Sequence, residues 1–102
     1  MIELDPHQIK ILHGALNAFG LDNQVTKAIE ELSELIKELC LFKSGSIRDR
    51  NRHNVEEELD DVLIVIEQML IVFNQDDEVT RQFKYKMNRL EMRLMEKHNE
   101  GR

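Results

Sequence analysis

Residues 56–70, EEELDDVLIVIEQML, decide the fold. The stretch opens on acids and runs into Val62, Leu63, Ile64, Val65, Ile66, Met69 and Leu70 with no Gly or Pro to interrupt it. Val62, Val65, Ile66, Met69 and, just beyond, Phe73 recur at the i, i+3, i+4, i+7 spacing of one helix face. Ile64 and Ile71 fall on the other side. A helix apolar nearly all round must be covered on more than one face. In so short a chain this predicts a central helix with a subunit interface, hence a homo-oligomer. A membrane span needs roughly 20 consecutive apolar residues. The apolar run from Val62 to Phe73 is shorter and contains Glu67 and Gln68, so no membrane segment is expected.

Working outward, three more helices flank the central one. The first takes Asp5 as N-cap and Pro6 as its first residue, and stops at Gly20. The second opens after Asp22 and runs to about Lys43, ahead of Gly45, with Val25, Ala28, Ile29, Leu32, Leu35, Ile36 and Leu39 as its stripe. The central, third helix starts after Asn54 as N-cap and ends near Phe73 or Asn74. The fourth starts after Asp76 and runs to about His98, along a narrower seam of Val79, Phe83, Met87, Leu90 and Leu94. Residues 44–53 are the one long connection and carry Arg48, Arg50 and Arg52.

The whole chain agrees with this reading. Its 102 residues suit one domain, residues 1–102. One proline, four glycines and 5% aromatics are too few turn and strand formers for a β-sandwich or barrel. Charged residues at 33% and hydrophobic ones at 41% fit a soluble helical domain and are too apolar for disorder. The expected fold class is all-α, a four-helix bundle completed by oligomerisation. Twenty acidic against 14 basic side chains give a net charge of −6, which argues against a nucleic-acid partner. Cys40 is the only cysteine, so neither an internal disulfide nor a cysteine zinc site is expected. The opening residues include Glu3 and Asp5 and no apolar core of a signal peptide, so a cytoplasmic location is expected.

Chemistry, if present, lies in two acidic clusters: Glu30, Glu31, Glu34 and Glu38 on the second helix, and Glu56, Glu57, Glu58, Asp60 and Asp61 on the third. A solvated face explains several of these. At roughly 100° per residue, Glu56, Glu57, Asp60 and Glu67 lie outside the apolar arc of the third helix, and Glu30 points away from that of the second. Glu58 lies inside the arc, between Val65 and Val62 in angle, with Asp61 one turn on at its edge. Glu31 borders the stripe of the second helix, with Glu38 and then Glu34 slightly further out. Residues three apart are neighbours on a helix surface. If the two helices pack antiparallel, the pairs Glu31/Glu34 and Glu58/Asp61 converge. Four like charges near a core are costly unless a cation joins them. All-oxygen ligands select a hard cation, Mg²⁺ or Mn²⁺. A di-iron bundle fits less well, because no histidine lies three residues after a Glu.

Glu30-Glu31-Leu32-Ser33-Glu34 reads EExxE, and Glu58-Leu59-Asp60-Asp61 reads ExxD. With the flanks KAIEELSELIKEL and EEELDDVLIVIEQML, this order resembles the MazG-like nucleoside triphosphate pyrophosphohydrolases over roughly residues 22–95. The resemblance implies Mg²⁺-dependent cleavage of a nucleoside triphosphate between the α and β phosphates, giving the monophosphate and pyrophosphate. It also implies that Glu31, Glu34, Glu58 and Asp61 hold the metal, and that the protein is a homodimer or homotetramer. One of these acids, or Glu38 beside them, is the candidate catalytic base. Lys86 and Arg89 resemble the basic positions of the family's last helix and are the candidate phosphate contacts; a solvated helix face is the competing explanation. Arg48, Arg50 and Arg52 are secondary phosphate candidates. Base contacts are expected from apolar side chains of the first helix or of a neighbouring subunit. Two rivals remain: a phosphoribosyl-ATP pyrophosphohydrolase, and a non-catalytic helical module for oligomerisation or regulation.

Overall fold

The computed structural model describes residues 3–45 and 48–101. All regular structure there is helical: α1 (Pro6–Phe19), α2 (Leu21–Ser44), α3 (Arg48–Phe73) and α4 (Glu78–Glu100). No described helix is long and apolar enough to cross a membrane. The chain divides into two compact units, Met1–Ile71 and Val72–Arg102. The first holds α1, α2 and nearly all of α3; the second holds α4 and its lead-in.

α1 begins where its sequence directs. The Asp5 carboxylate accepts from the Gln8 amide N–H at 2.7 Å, and the Gln8 side chain accepts from the Asp5 N–H at 3.0 Å, a reciprocal capping box with Pro6 just inside. Gly20 ends α1, donating its N–H to Leu16 O at 3.0 Å. α2 then starts at Leu21, not after Asp22. Gly20, at φ 85°, is at once the last cap of α1 and the first of α2. Only a residue tolerant of positive φ lets two helices meet at one position.

The largest difference from the sequence reading is the start of α3. It begins at Arg48, so residues 48–53 are helix and the connection contracts to the few residues around Gly45. Asn54 is therefore interior to α3 and caps nothing. The cause is docking. Among the described residues Asn51 is the most deeply buried side chain, at 1% exposure, and it donates Nδ2–H to Glu38 Oε2 of α2. Ion pairs one turn apart add a little: Arg52 with Glu56 at 3.7 Å and, when protonated, His53 with Glu57 at 3.1 Å.

Two cross-links fix α2 and α3 as antiparallel neighbours. Glu31 meets Glu58 and Asp61, while Glu38, seven residues on, meets Asn51, seven residues back from Glu58. The core of this unit is small: Leu12, Ala28, Val62 and Val65 are buried, with Gln68 among them. The buried face of α2 is turned relative to its apolar stripe. Val25, Ala28, Leu35, Glu31 and Glu38 are buried or half-buried, whereas Ile29, Leu32, Ile36 and Leu39 are exposed. That turn brings two carboxylates inward and leaves half of the stripe outside.

α4 is led in by its own polar knot. Asn74 Oδ1 accepts from the N–H groups of Val79 and Thr80 at 2.9 and 3.3 Å, and Asp76 Oδ1 accepts from the Glu78 N–H at 3.2 Å. The helix starts after Asp77, one residue later than expected, with Asp77 at φ 60°. Every side chain of its seam is exposed, from Val79 at 41% to Leu94 at 68%.

Candidate metal centre

Glu31, Glu58 and Asp61 each present an oxygen, and these oxygens lie within 4.8 Å of one another. Glu31 reaches in from α2, Glu58 and Asp61 from successive turns of α3. Glu58 occupies the line Asn51, Val55, Glu58, Val62, Val65, which is the inward seam of α3. A carboxylate thus stands where packing alone would favour an aliphatic side chain. Its Oε2 is sealed from solvent and has no hydrogen-bond partner. An orphaned acceptor of this kind carries a desolvation cost that a cation would relieve.

The electrostatics have one cause throughout. Partial burial pushes the Glu58 carboxyl above its usual 4.5, and the charges of Asp61, Glu31, Glu34 and Glu38 push it further. Asp61 rises above 3.8 for the same reason, first by burial, then by the charge of Glu31 and a carboxyl–carboxylate hydrogen bond to it. Among the described residues Lys27 supplies a counter-charge: its Nζ lies 2.9 Å from Glu31 Oε1, and that bond holds the ammonium more tightly protonated than a free lysine. The donor set fits a hard cation. In an octahedral Mg²⁺ shell neighbouring ligands are about 3 Å apart and opposite ones about 4.2 Å, so three oxygens within 4.8 Å of one another must draw together to share one ion.

The sequence-expected residues are distributed as follows. Glu34 is exposed and stands outside the close trio, though near enough to add to the repulsion on Glu58. Glu38 is half-buried, bonded to Asn51, and its charge is felt at Glu58. Lys86 and Arg89 are exposed on α4, in the second unit. Arg52 is an exposed helical residue paired with Glu56, and not a loop arginine. The side chains of Arg48 and Arg50 lie outside the described residues.

Two residues went unnoticed in the sequence. Lys27 was legible as an i, i+4 partner of Glu31. Asn51 was not, because its role depends on α3 starting at Arg48. A separate cleft of about 420 Å³ lies between α1 and α3, with Ile11, Leu12, Leu63 and Ile64 on its walls and Asp60 and Glu67 at its edge. Compared with family models, curated proteins and solved structures, the chain matches none.

Proposed function

We propose that the protein is a Mg²⁺-dependent nucleoside triphosphate pyrophosphohydrolase of MazG-like type, with Mn²⁺ as a substitute ion. The observation that carries this reading is the convergence of oxygens from Glu31, Glu58 and Asp61, with one Glu58 oxygen sealed from solvent and partnerless. The order EExxE then ExxD on two antiparallel helices supports it. A bound cation would neutralise the triphosphate and lower the pKa of a coordinated water.

The chain's own residues would do the rest. Glu31, Glu58 and Asp61 hold the site, with Glu34 contributing charge from its exposed edge. Glu38 takes a proton as water adds to the α-phosphorus and the bond to the β-phosphate bridging oxygen breaks, releasing pyrophosphate. Lys86 and Arg89 are assigned to the phosphates, supported by their resemblance to the family's last helix. The apolar cleft beside Ile11 and Leu12 supports base contacts from α1.

The test is a panel of ribo- and deoxyribonucleoside triphosphates, with and without Mg²⁺, comparing wild type with Glu58→Gln. Pyrophosphate release by the wild type alone, and only with Mg²⁺, is expected. Equal turnover by both proteins would sink the assignment.

We further infer a homodimer or homotetramer. The support is the exposed seam of α4, together with Ile29, Leu32, Ile36 and Leu39 of α2. Monomeric soluble proteins seldom leave contiguous apolar faces of this extent uncovered. The same observation favours one second reading, an assembly module with no catalysis, for which neither protein in the panel would turn over any nucleotide.

A further inference from the structure

We propose that Asn51 is a positioning residue that makes Glu38 a working member of the carboxylate site. The inference rests on the metal-centre reading above and goes beyond it, because neither motif includes Asn51. Three observations converge on it. Asn51 is 1% exposed, so its side chain is enclosed on all sides. It donates Nδ2–H to Glu38 Oε2 across 13 residues of sequence, joining the first turns of α3 to the second half of α2. Glu38 lies about two turns along α2 from Glu31, on the same half-buried face, and its charge adds to the upward push on the Glu58 carboxyl.

The chemistry explains why an amide stands here. A half-buried glutamate on a long side chain has several rotamers, and order must come from a partner. Lys or Arg would supply that order but would also cancel the charge a cation needs. An amide N–H holds one oxygen and leaves the group ionised. A carboxylate offers about four acceptor sites on two oxygens, so one amide bond leaves Glu38 able to accept again. A structural role alone does not select Asn51. Its own Oδ1 is buried without a partner, a desolvation cost that an apolar side chain would not carry.

The test is a double-mutant cycle on the intact chain: wild type, Asn51→Leu, Glu38→Ala and the double variant. Mn²⁺ binding, followed by electron paramagnetic resonance without nucleotide, is the first readout, and melting temperature is the second. Asn51→Leu is expected to bind Mn²⁺ roughly tenfold more weakly at a temperature where its melting curve shows it fully folded. The double variant should bind no more weakly than Glu38→Ala, since Asn51 acts only through Glu38. Asn51→Asp, of the same shape but without the donor, should fail as Asn51→Leu does if it folds. Wild-type affinity in Asn51→Leu, additive losses in the double variant, or no Mn²⁺ binding by the wild type would each overturn the proposal. Pyrophosphate release by the same four proteins separates the two claims. The expected cycle in Mn²⁺ binding with no turnover by the wild type would remove the pyrophosphohydrolase reading and leave Asn51 in its role.

Discussion

At the scale of single residues, the molecule is organised around a conflict at Glu58. Its backbone position belongs to the core and its charge to water. The conflict fixes the sign of a pH effect. Glu58 and Asp61 hold protons more tightly in the fold than when free. The metal-free folded state therefore binds more protons than the unfolded chain, and stability falls as pH rises. Their contribution is fully present below the ordinary values of 4.5 and 3.8, and is lost as pH climbs through their raised folded values. Glu78 works in the opposite sense. Arg81 and Gln82 hold its carboxylate below the usual range, so its contribution is present above 4.5 and lost on acidification. Comparing wild type with the double variant Glu58→Gln/Asp61→Asn cancels the Glu78 effect. The wild type should lose melting temperature relative to the variant between mildly acidic and neutral pH, and millimolar Mg²⁺ should close the gap. A gap unchanged by pH would mean that the two acids do not share a repulsive site.

The same geometry ranks the carboxylates in a way the motif does not. EExxE treats Glu31 and Glu34 alike, but only Glu31 stands in the close trio. The Mg²⁺-induced rise in melting temperature should vanish in Glu31→Gln and survive, reduced, in Glu34→Gln. The inward placement of Glu58 was legible in the sequence because 100° per residue sets it between Val62 and Val65. The separation of Glu31 from Glu34 was not. It depends on how far α2 is rotated against α3, and an apolar stripe gives a helix's inner face only when all of that stripe is covered by the same chain. Here Ile29, Leu32, Ile36 and Leu39 are not covered, so the stripe's centre and the buried face differ.

At the scale of elements, the sequence marks helix ends well where local chemistry sets them and poorly where tertiary contacts do. Asp5, Gln8 and Gly20 act within a turn or two of themselves, and α1 ends where they require. α3 starts at Arg48 because Asn51 docks on α2, a cause 13 residues distant. Asn54, a strong N-cap type followed by acids, carried the local signal for a later start, and burial outweighed it. This difference can be tested with His53→Pro. In a connecting loop just ahead of an N-cap, proline would be tolerated. Inside α3 it removes a backbone hydrogen bond and clashes with the preceding turn, at a cost of about 3 kcal/mol. A lowered melting temperature with loss of about a turn of helix by circular dichroism is expected; an unchanged protein would restore the later start.

At the scale of the molecule, charge and apolar surface are divided unequally along the chain. Residues 1–71 carry 14 acidic and seven basic side chains, whereas residues 72–102 carry six acidic and seven basic. The first part thus holds −7 and the second +1. The net −6 is therefore not a uniform repulsive coat. It belongs to the part with the carboxylate trio, and the α4 part is close to neutral with its apolar seam uncovered. A segment close to neutral with an uncovered apolar seam is the portion of the chain least opposed by charge to association with a second copy. Light scattering should accordingly give a dimer or tetramer mass at micromolar concentration. The double substitution Phe83→Asp/Leu90→Asp places two charges on the seam, at residues that are 53% and 56% exposed and so carry little of the chain's own packing. It should yield a folded monomer, with far-ultraviolet ellipticity largely kept. A wild type that stays monomeric at every concentration would remove the oligomer and leave α4 an unexplained apolar surface. A variant that stays assembled would move the interface to α2, whose exposed Ile29 and Ile36 are the next positions to charge.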